Sequence, residues 1–309
     1  MKTRIWIALI AIYIIWGSTY LAIRFAVATI PPFLMAGTRF LIAGLVLLVW
    51  RRLAGDPLPT ARQWQSTAVV GLLLLLGGNG LVSWAEKYVP SGMAALLIGS
   101  TPLFMVIVEA LRPKGVKPGW QSIAGLVIGF GGIALLVGPA ELNLKAMQFD
   151  PLAIGALLFA SLFWSIGSVY SKTADMPRSS LMGTGMEMLC GSAGLFIVGT
   201  LTGEWKALHI ASITPSSWLG LAYLVVAGSM MGFVAYAWLL RHAPISLAST
   251  YAYVNPVVAI LLGAWIGHEA LNVRTLIAAL IIISSVILIN LSKQSKIVQE
   301  DETISPAAD

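Results

Sequence analysis

Long apolar runs alternate with short polar or Pro- and Gly-containing breaks along almost the whole chain. Each run is close to the roughly 20 residues that an α-helix needs to cross a bilayer. We therefore predict ten membrane spans, near residues 5–23, 33–50, 67–86, 91–110, 120–138, 151–171, 179–201, 217–240, 246–266 and 272–291. Because no stretch is left for a separate soluble domain, the predicted fold class is an all-α membrane protein with ten transmembrane helices.

The composition supports this prediction and limits the partners. Hydrophobic residues make up 58% of the chain and charged residues only 10%, whereas about a quarter of a soluble domain is charged. The net charge of +6 comes from basic residues scattered singly at the ends of apolar runs, so it indicates membrane topology and no nucleic-acid partner. With Cys190 as the single cysteine, the sequence predicts neither an intramolecular disulfide nor a cysteine-based metal site.

The distribution of Lys and Arg predicts the orientation. If the N-terminus is cytoplasmic, most of the 19 basic residues fall in inner loops and tails, as the positive-inside rule requires. We therefore predict that both termini are cytoplasmic. The polar, mixed-charge stretch 293–309 is typical of a disordered cytoplasmic tail.

The two halves of the chain resemble each other, which predicts two five-helix repeats, 1–145 and 146–292. A shift of 148 residues aligns Trp16 with Trp164 and Arg39 with Glu187, and a shift of 154 residues aligns the Pro90 and Pro102 pair with Pro244 and Pro256. Because five is odd, the second repeat must enter the membrane from the opposite side. Inverted repeats of this kind are a recurring architecture of secondary transporters, in which two halves rock around a central site.

The same symmetry predicts where a substrate would bind, since equivalent residues of the halves can meet only near the bilayer midplane. Counting along the helices places Trp16, Trp164, Pro102 and Pro256 near mid-depth. A proline within a span frees a carbonyl and kinks the helix, so Pro102 and Pro256 are the predicted kinks. A kink that serves packing alone is the alternative.

Polar and aromatic side chains at similar depth complete the predicted site. Tyr251 and Asn255 lie four residues apart on one helical face, and Asn79 lies within a glycine-rich stretch of span three. Interhelical hydrogen bonding is the alternative for these groups. The predicted substrate-binding residues are Trp16, Asn79, Thr101, Trp164, Tyr251 and Asn255.

Charged residues inside the spans are the candidates for a path or coupling role. Arg39 lies about two turns into span two, where it must pair, face water or snorkel outward. Glu187 is its repeat partner near the opposite side, so we predict one charge towards each mouth of the path. Glu86 and Glu269 end spans three and nine, and solvated surface charge is the leading interpretation for both.

Catalytic signatures are missing from the sequence. It has no phosphate-binding Gly-x-x-x-x-Gly-Lys-Ser/Thr loop, and its three histidines do not form a His-Glu-x-x-His motif. ATP-driven pumping and intramembrane hydrolysis are therefore disfavoured. We predict a secondary transporter that is not an enzyme and needs neither cofactor nor metal. A passive channel and a non-transport membrane subunit remain as alternatives.

Several motifs together resemble a known family: WGSTYLAIR at 16–24, GTRF at 37–40, VPSGMAAL at 89–96, TPLF at 101–104 and TYAYVNPVVA at 250–259. Over nearly its whole length the chain resembles the drug/metabolite transporter superfamily, and within it the ten-span EamA family and its YedA-like inner-membrane permeases. The resemblance implies export of amino acids or related small metabolites from a bacterial cytoplasm, with a proton or another ion as a further partner. One departure is that Gly115 stands where the second repeat carries Glu269.

Overall fold

The structure is a computed structural model that describes residues 2–112, 115, 117–137, 150–242 and 251–304. Ten long helices make up almost all of it. They are α1 (Lys2–Val27), α2 (Pro32–Leu53), α3 (Ala61–Ala85), α4 (Ser91–Gly99 and Thr101–Leu111), α5 (Trp120–Val137), α6 (Pro151–Ser171), α7 (Ser180–Leu201), α8 (Pro215–Tyr223, Leu224–Met231 and Gly232–His242), α9 (Tyr251–Trp265) and α10 (Val273–Ile304). A short helix, Glu204–Ala207, and a 3-10 turn, Ile210–Ser212, join α7 to α8.

These helices confirm the ten-span prediction within a few residues at most boundaries. Seven of the described helices are long and apolar enough to cross a membrane, and three shorter apolar helices are Trp120–Leu136, Val254–Trp265 and Val273–Leu288. The start of the predicted span 246–266 and the predicted repeat boundary at 145 lie outside the described residues.

The last helix differs in length from its predicted span. It continues through Ile304, into the stretch 293–309 for which the sequence predicts a disordered tail. Gln, Lys and Glu, which are frequent in this stretch, have high helix propensities, and an existing helix can be extended without a new nucleation step. Residues 305–309 lie outside the described part of the chain.

Polar side chains fix where several helices begin. Thr60 and Gln63 form a capping box at the start of α3, and the side chains of Asp150, Ser179 and Thr214 accept hydrogen bonds from the first turns of α6, α7 and α8. Such caps satisfy backbone N–H groups that have no partner within the helix.

The helix contacts have the two-fold pattern of an inverted repeat. Helix α1 of the first half packs against α8 and α9 of the second, and the equivalent α6 packs against α3 and α4 of the first. The pairs α2 with α7 and α5 with α10 each join equivalent helices. At the α2–α7 contact a Cβ on Gly44 would lie 2.9 Å from the carbonyl oxygen of Gly185. Glycines therefore let the two backbones approach closely, as is typical of membrane helices.

The third helix of each half contains a π-helical segment, which the sequence analysis did not predict. The segments are Leu72–Gly80 in α3 and Leu224–Met231 in α8. A π segment leaves backbone groups without their usual α-helical partners and often occurs at functional sites. Both segments face the first helix of the opposite half, α6 and α1 respectively.

Candidate transport site

Trp16 of α1 is packed into the π segment of α8. Its indole Nε1 donates a hydrogen bond to the carbonyl of Gly228 over 3.2 Å, and a Cβ on Gly232 would collide with the same nitrogen. The rings of Tyr236 and Tyr251 each lie with their centroids 5.1 Å from that of Trp16. The missing side chain of Gly232 thus makes the space in which the indole lies.

Trp164 of α6 has the equivalent position against the other π segment. A Cβ on Gly78 would lie 3.0 Å from the indole Cε3 of Trp164, and one on Gly77 would lie 2.8 Å from the ring of Phe163. Gly78 and Gly232 are 154 residues apart, which is the shift that aligns the second parts of the repeats. Trp16 of the first half therefore packs against α8 of the second, and Trp164 of the second half packs against α3 of the first. We call this reciprocal arrangement exchanged packing.

Asn255 and Tyr251 lie on the α1 side of the site. Asn255 is 7% exposed, and its Oδ1 has no hydrogen-bond partner among the residues that the structure describes. Its backbone carbonyl oxygen is 3.2 Å from where a Cβ on Gly17 would lie. Pro256, inside α9, is buried beside it. A buried amide oxygen without a partner is unfavourable and is available to a polar ligand.

Thr101 and Asn79 lie on the α6 side. The Thr101 hydroxyl donates to the carbonyl of Ile98 at 2.6 Å, and its own carbonyl accepts from Ser165 at 3.2 Å. Pro102 stands in the first turn after the break of α4 at Ser100, a position where its missing N–H is tolerated. Asn79 is half-buried in the π segment next to Gly78. The six predicted residues thus form two groups of three, one around α1 and one around α6.

Arg39 joins the Trp16 group. It is 4% exposed, so it does not snorkel to the surface. Its Nε donates to Ser229 Oγ at 2.7 Å, and its guanidinium carbon lies 4.7 Å from the centroid of the Phe40 ring. Arg39 and Trp16 therefore bind adjacent residues of the same π segment. Gly228, Ser229 and Tyr236 were not predicted, because only the helix packing shows that α8 faces α1 and α2.

Glu187 lies apart from this group, on α7. It is half-buried in α7, and a Cβ on Gly71 of α3 would collide with its backbone carbonyl. Gly71 immediately precedes the π segment of α3. Arg39 donates a hydrogen bond to Ser229 and packs over Phe40, and neither contact involves Glu187, so the two charges form separate features of the site.

Two carboxylates of the second half bind the first half at one end of the bundle. This end, here called the Glu269 end, contains the connections α1–α2, α3–α4, α7–α8 and α9–α10. The carboxylate of Glu269 accepts from the backbone N–H groups of Ser91 at 2.7 Å and Gly92 at 3.1 Å, and it lies 3.4 Å from Arg24 Nε. Arg24 also donates to the carbonyl of Val89 at 2.7 Å. The interpretation of Glu269 as a solvated charge is wrong, because this side chain caps α4 and is 7% exposed.

Glu204 makes the equivalent contact at the start of α2. Its carboxylate accepts from the backbone N–H groups of Phe33 at 3.3 Å and Leu34 at 3.0 Å. Burial raises the pKa of Glu204, and the two hydrogen bonds and Lys87 oppose that shift. Carboxylates of the second half therefore stabilise two helix N-termini of the first half, where the helix dipole favours negative charge.

Comparison with known proteins identifies the architecture. Residues 3–138 and 151–291 each match the model of the EamA-like transporter family. The chain belongs to the EamA-like transporter family. It is 40% identical over 287 residues to the uncharacterized inner membrane transporter YedA of Escherichia coli (strain K12), covering 93% of this chain and 90% of that protein. It is 25% identical to the uncharacterized transporter YvbV of Bacillus subtilis (strain 168), covering 96% and 94%.

A solved crystal structure has the same fold, with a TM-score of 0.65 at 22% identity, covering 94% of this chain and 98% of that one. Membership of the EamA-like family confirms the prediction of a membrane transporter that is not an enzyme. The partners that follow are the lipid bilayer and a small solute. Within the described ranges, no group of three or more His, Cys, Asp or Glu side chains could hold a metal ion.

Proposed function

We propose that the protein is a secondary transporter of the cytoplasmic membrane that exports amino acids or related small organic metabolites by alternating access. The observation that supports this most directly is the exchanged packing of Trp16 and Trp164 into the π segments of the opposite halves. In such an arrangement one rocking motion changes both contacts together, which is what alternating access requires.

The chemistry near Arg39 suits a carboxylate-bearing solute. Its Nε donates to Ser229, which fixes the orientation of the guanidinium, and its Nη2 lies 3.2 Å from where a Cβ on Gly228 would be. A fixed guanidinium binds carboxylates through paired hydrogen bonds. The aromatic rings of Trp16 and Tyr251, and the amide oxygen of Asn255, would then contact the rest of the solute and its amino group.

The alternation itself requires that one end of the interface can open. The contacts of Glu269 and Glu204 that join the halves at the Glu269 end are hydrogen bonds and one ion pair. Such contacts are exchanged for water with little net change in free energy. We assign the Glu269 end to the outer face, with both termini in the cytoplasm, from the distribution of basic residues.

Counterflow in proteoliposomes tests the function. Vesicles containing the purified protein are loaded with a pool of amino acids and related metabolites, and each labelled compound is offered outside in turn. We expect saturable accumulation of one chemical class, which Asn255→Ala and Tyr251→Phe reduce. Tyr170→Phe is the matched control, since Tyr170 is 39% exposed at the end of α6. Flux that never saturates would favour a passive channel, and inactivity of verified, correctly inserted protein would favour a non-transport subunit.

A further inference from the structure

Glu86 is a buried carboxyl group that the transport site described above does not use. It follows the last turn of α3 and is 1% exposed, and neither carboxylate oxygen has a hydrogen-bond partner among the described residues. The hydroxyl of Ser83, three residues earlier on the same helix face, is also buried without a partner. The sequence interpretation of Glu86 as a solvated charge is therefore wrong, because α1 and neighbouring helices cover this position.

The charged groups around Glu86 come from three directions. Electrostatic interactions link its carboxyl group to Arg24, Arg39 and Glu269, and the hydroxyl of Tyr20 on α1 also interacts with it. The side chains of both arginines bind other groups: Arg24 binds Glu269 and the carbonyl of Val89, and Arg39 binds Ser229. Glu86 thus lies between the Glu269 end and the Arg39 group and forms no ion pair with either arginine side chain.

Among the described residues, an ionised carboxylate in this position would have at most the backbone of Arg24 as a donor to replace water. This is a large energetic penalty, whereas a protonated carboxyl group is neutral. A metal cation is a poor fit, since it would need a shell of several oxygen ligands and no described side chain forms a hydrogen bond with these carboxylate oxygens. A small cavity of about 70 Å³ beside Glu269, lined in part by Met93 and Ile260, has room for a few water molecules near this end of the path.

We propose that Glu86 binds the proton that is exchanged for the solute in each transport cycle, a step that rests on the proposed function. The closed arrangement described here holds Glu86 as the neutral acid. When the opposite, cytoplasmic end opens and the proton leaves for water on that side, the carboxylate competes with Glu269 for Arg24. The ion pair at the Glu269 end then weakens, and the halves can separate there and release the solute outside. A proton bound from the outer side restores the closed arrangement, so that one proton enters for each solute exported.

Infrared spectroscopy tests proton binding without any knowledge of the cargo. The vibration of protonated carboxyl groups is recorded for the purified protein in liposomes while the pH is raised from 5 to 9. We expect a protonated-carboxyl signal that disappears as the pH rises in wild type and is smaller in Glu86→Gln, and the difference between the two spectra separates Glu86 from other buried carboxyl groups such as Glu204. Glu109→Gln is the matched control and should retain the signal, because Glu109 is 27% exposed and paired with Arg112. A Glu86→Gln spectrum equal to that of wild type at every pH would overturn the proposal.

Proton movement is then measured in vesicles loaded with the pH dye pyranine, to which a mixture of the twenty standard amino acids is added. We expect Glu86→Gln, a fixed mimic of the neutral acid that leaves the Glu269 end closed, to lose at least nine-tenths of both counterflow and proton flux, and Glu109→Gln to keep both. Wild-type counterflow without proton flux would refute coupling and leave the proposed function intact. Missing wild-type counterflow would count against the proposed function, while the infrared titration would still decide whether Glu86 binds a proton.

A second variant guards against a folding defect in Glu86→Gln. Glu86→Asp keeps the acid but moves it by one methylene group. It should retain proton flux with a displaced pH profile, whereas a purely structural role for Glu86 would change the amount of folded protein and leave the pH profile of the active fraction unchanged.

Discussion

The indole Nε1 of Trp16 lies 3.2 Å from the carbonyl oxygen of Gly228 and donates a hydrogen bond to it. This bond joins the first helix of one half to the π segment of the other. Arg39 binds Ser229, the next residue along the same segment. Any rearrangement of the halves must therefore change the surroundings of an aromatic ring and a buried cation together.

Trp16→Phe tests the role of that hydrogen bond. The phenyl ring keeps most of the aromatic contact but cannot donate to Gly228, and leaving a buried carbonyl unpaired costs about 1–3 kcal/mol. We expect counterflow to fall by about tenfold, the rate change that corresponds to about 1.4 kcal/mol. Trp218→Phe is the control, because Trp218 is 47% exposed at the start of α8. Equal activity of the two variants would exclude a functional role for the Trp16 bond.

Gly78→Ala and Gly232→Ala test the exchanged packing. A Cβ at Gly232 collides with the indole of Trp16, and one at Gly78 makes a tight 3.0 Å contact with the indole of Trp164. We therefore expect a destabilisation of about 1–3 kcal/mol in detergent unfolding for Gly232→Ala and a smaller one for Gly78→Ala. Gly131→Ala and Gly155→Ala are controls, since a Cβ there meets nothing within 4 Å. These two should be neutral or stabilising by up to about 1 kcal/mol, because alanine is the better helix former. Similar stability for all four variants would contradict the packing.

Arg39→Lys separates charge from geometry. Lysine keeps the positive charge but has no planar fork to bind Ser229 and a carboxylate at the same time. We expect at least a tenfold loss of transport of carboxylate-bearing solutes, with an unchanged amount of inserted protein. Arg62→Lys serves as the control, because the side chain of Arg62 is 82% exposed. Full activity of Arg39→Lys would remove Arg39 from the binding site.

Glu269→Gln tests whether the contacts at the Glu269 end hold it closed. The amide loses the ion pair with Arg24 and weakens the cap on α4. In a Cys190→Ser background, a cysteine replacing the buried Met93 should react several-fold faster with a membrane-impermeant maleimide than it does with Glu269 intact. The same substitution at Glu109, paired with Arg112 at the opposite end of α4, should leave the labelling rate unchanged. Unchanged labelling in Glu269→Gln would mean that this carboxylate does not control access.

The sequence predicted the helices well because lipid imposes a simple length and polarity pattern on every span. The repeat also pairs Trp16 with Trp164, and their mid-depth position stays a prediction. The π segments were missed, since apolar residues followed by GGNG at 77–80 are compatible with an ordinary helix.

The burial of single charged residues depends on neighbours that the sequence does not specify. Glu86 and Glu269 both end a span, which is where solvated charge is common. Only the packing of α1 and α4 against the second half shows that one carboxylate caps a helix and that the other is enclosed without a partner. The position of a charged residue in the sequence predicts its depth in the membrane, whereas its binding partner is known only from the three-dimensional contacts.

Counterflow through the wild-type protein in proteoliposomes tests the central claim most directly. A carrier that alternates between two open states accumulates labelled solute inside the vesicles above its equilibrium concentration. It does so only while the vesicles still contain an unlabelled pool of the same class. We predict transient, saturable accumulation of a carboxylate-bearing solute that disappears when the vesicles are not preloaded. Equilibration that is independent of preloading and linear in concentration would contradict the account.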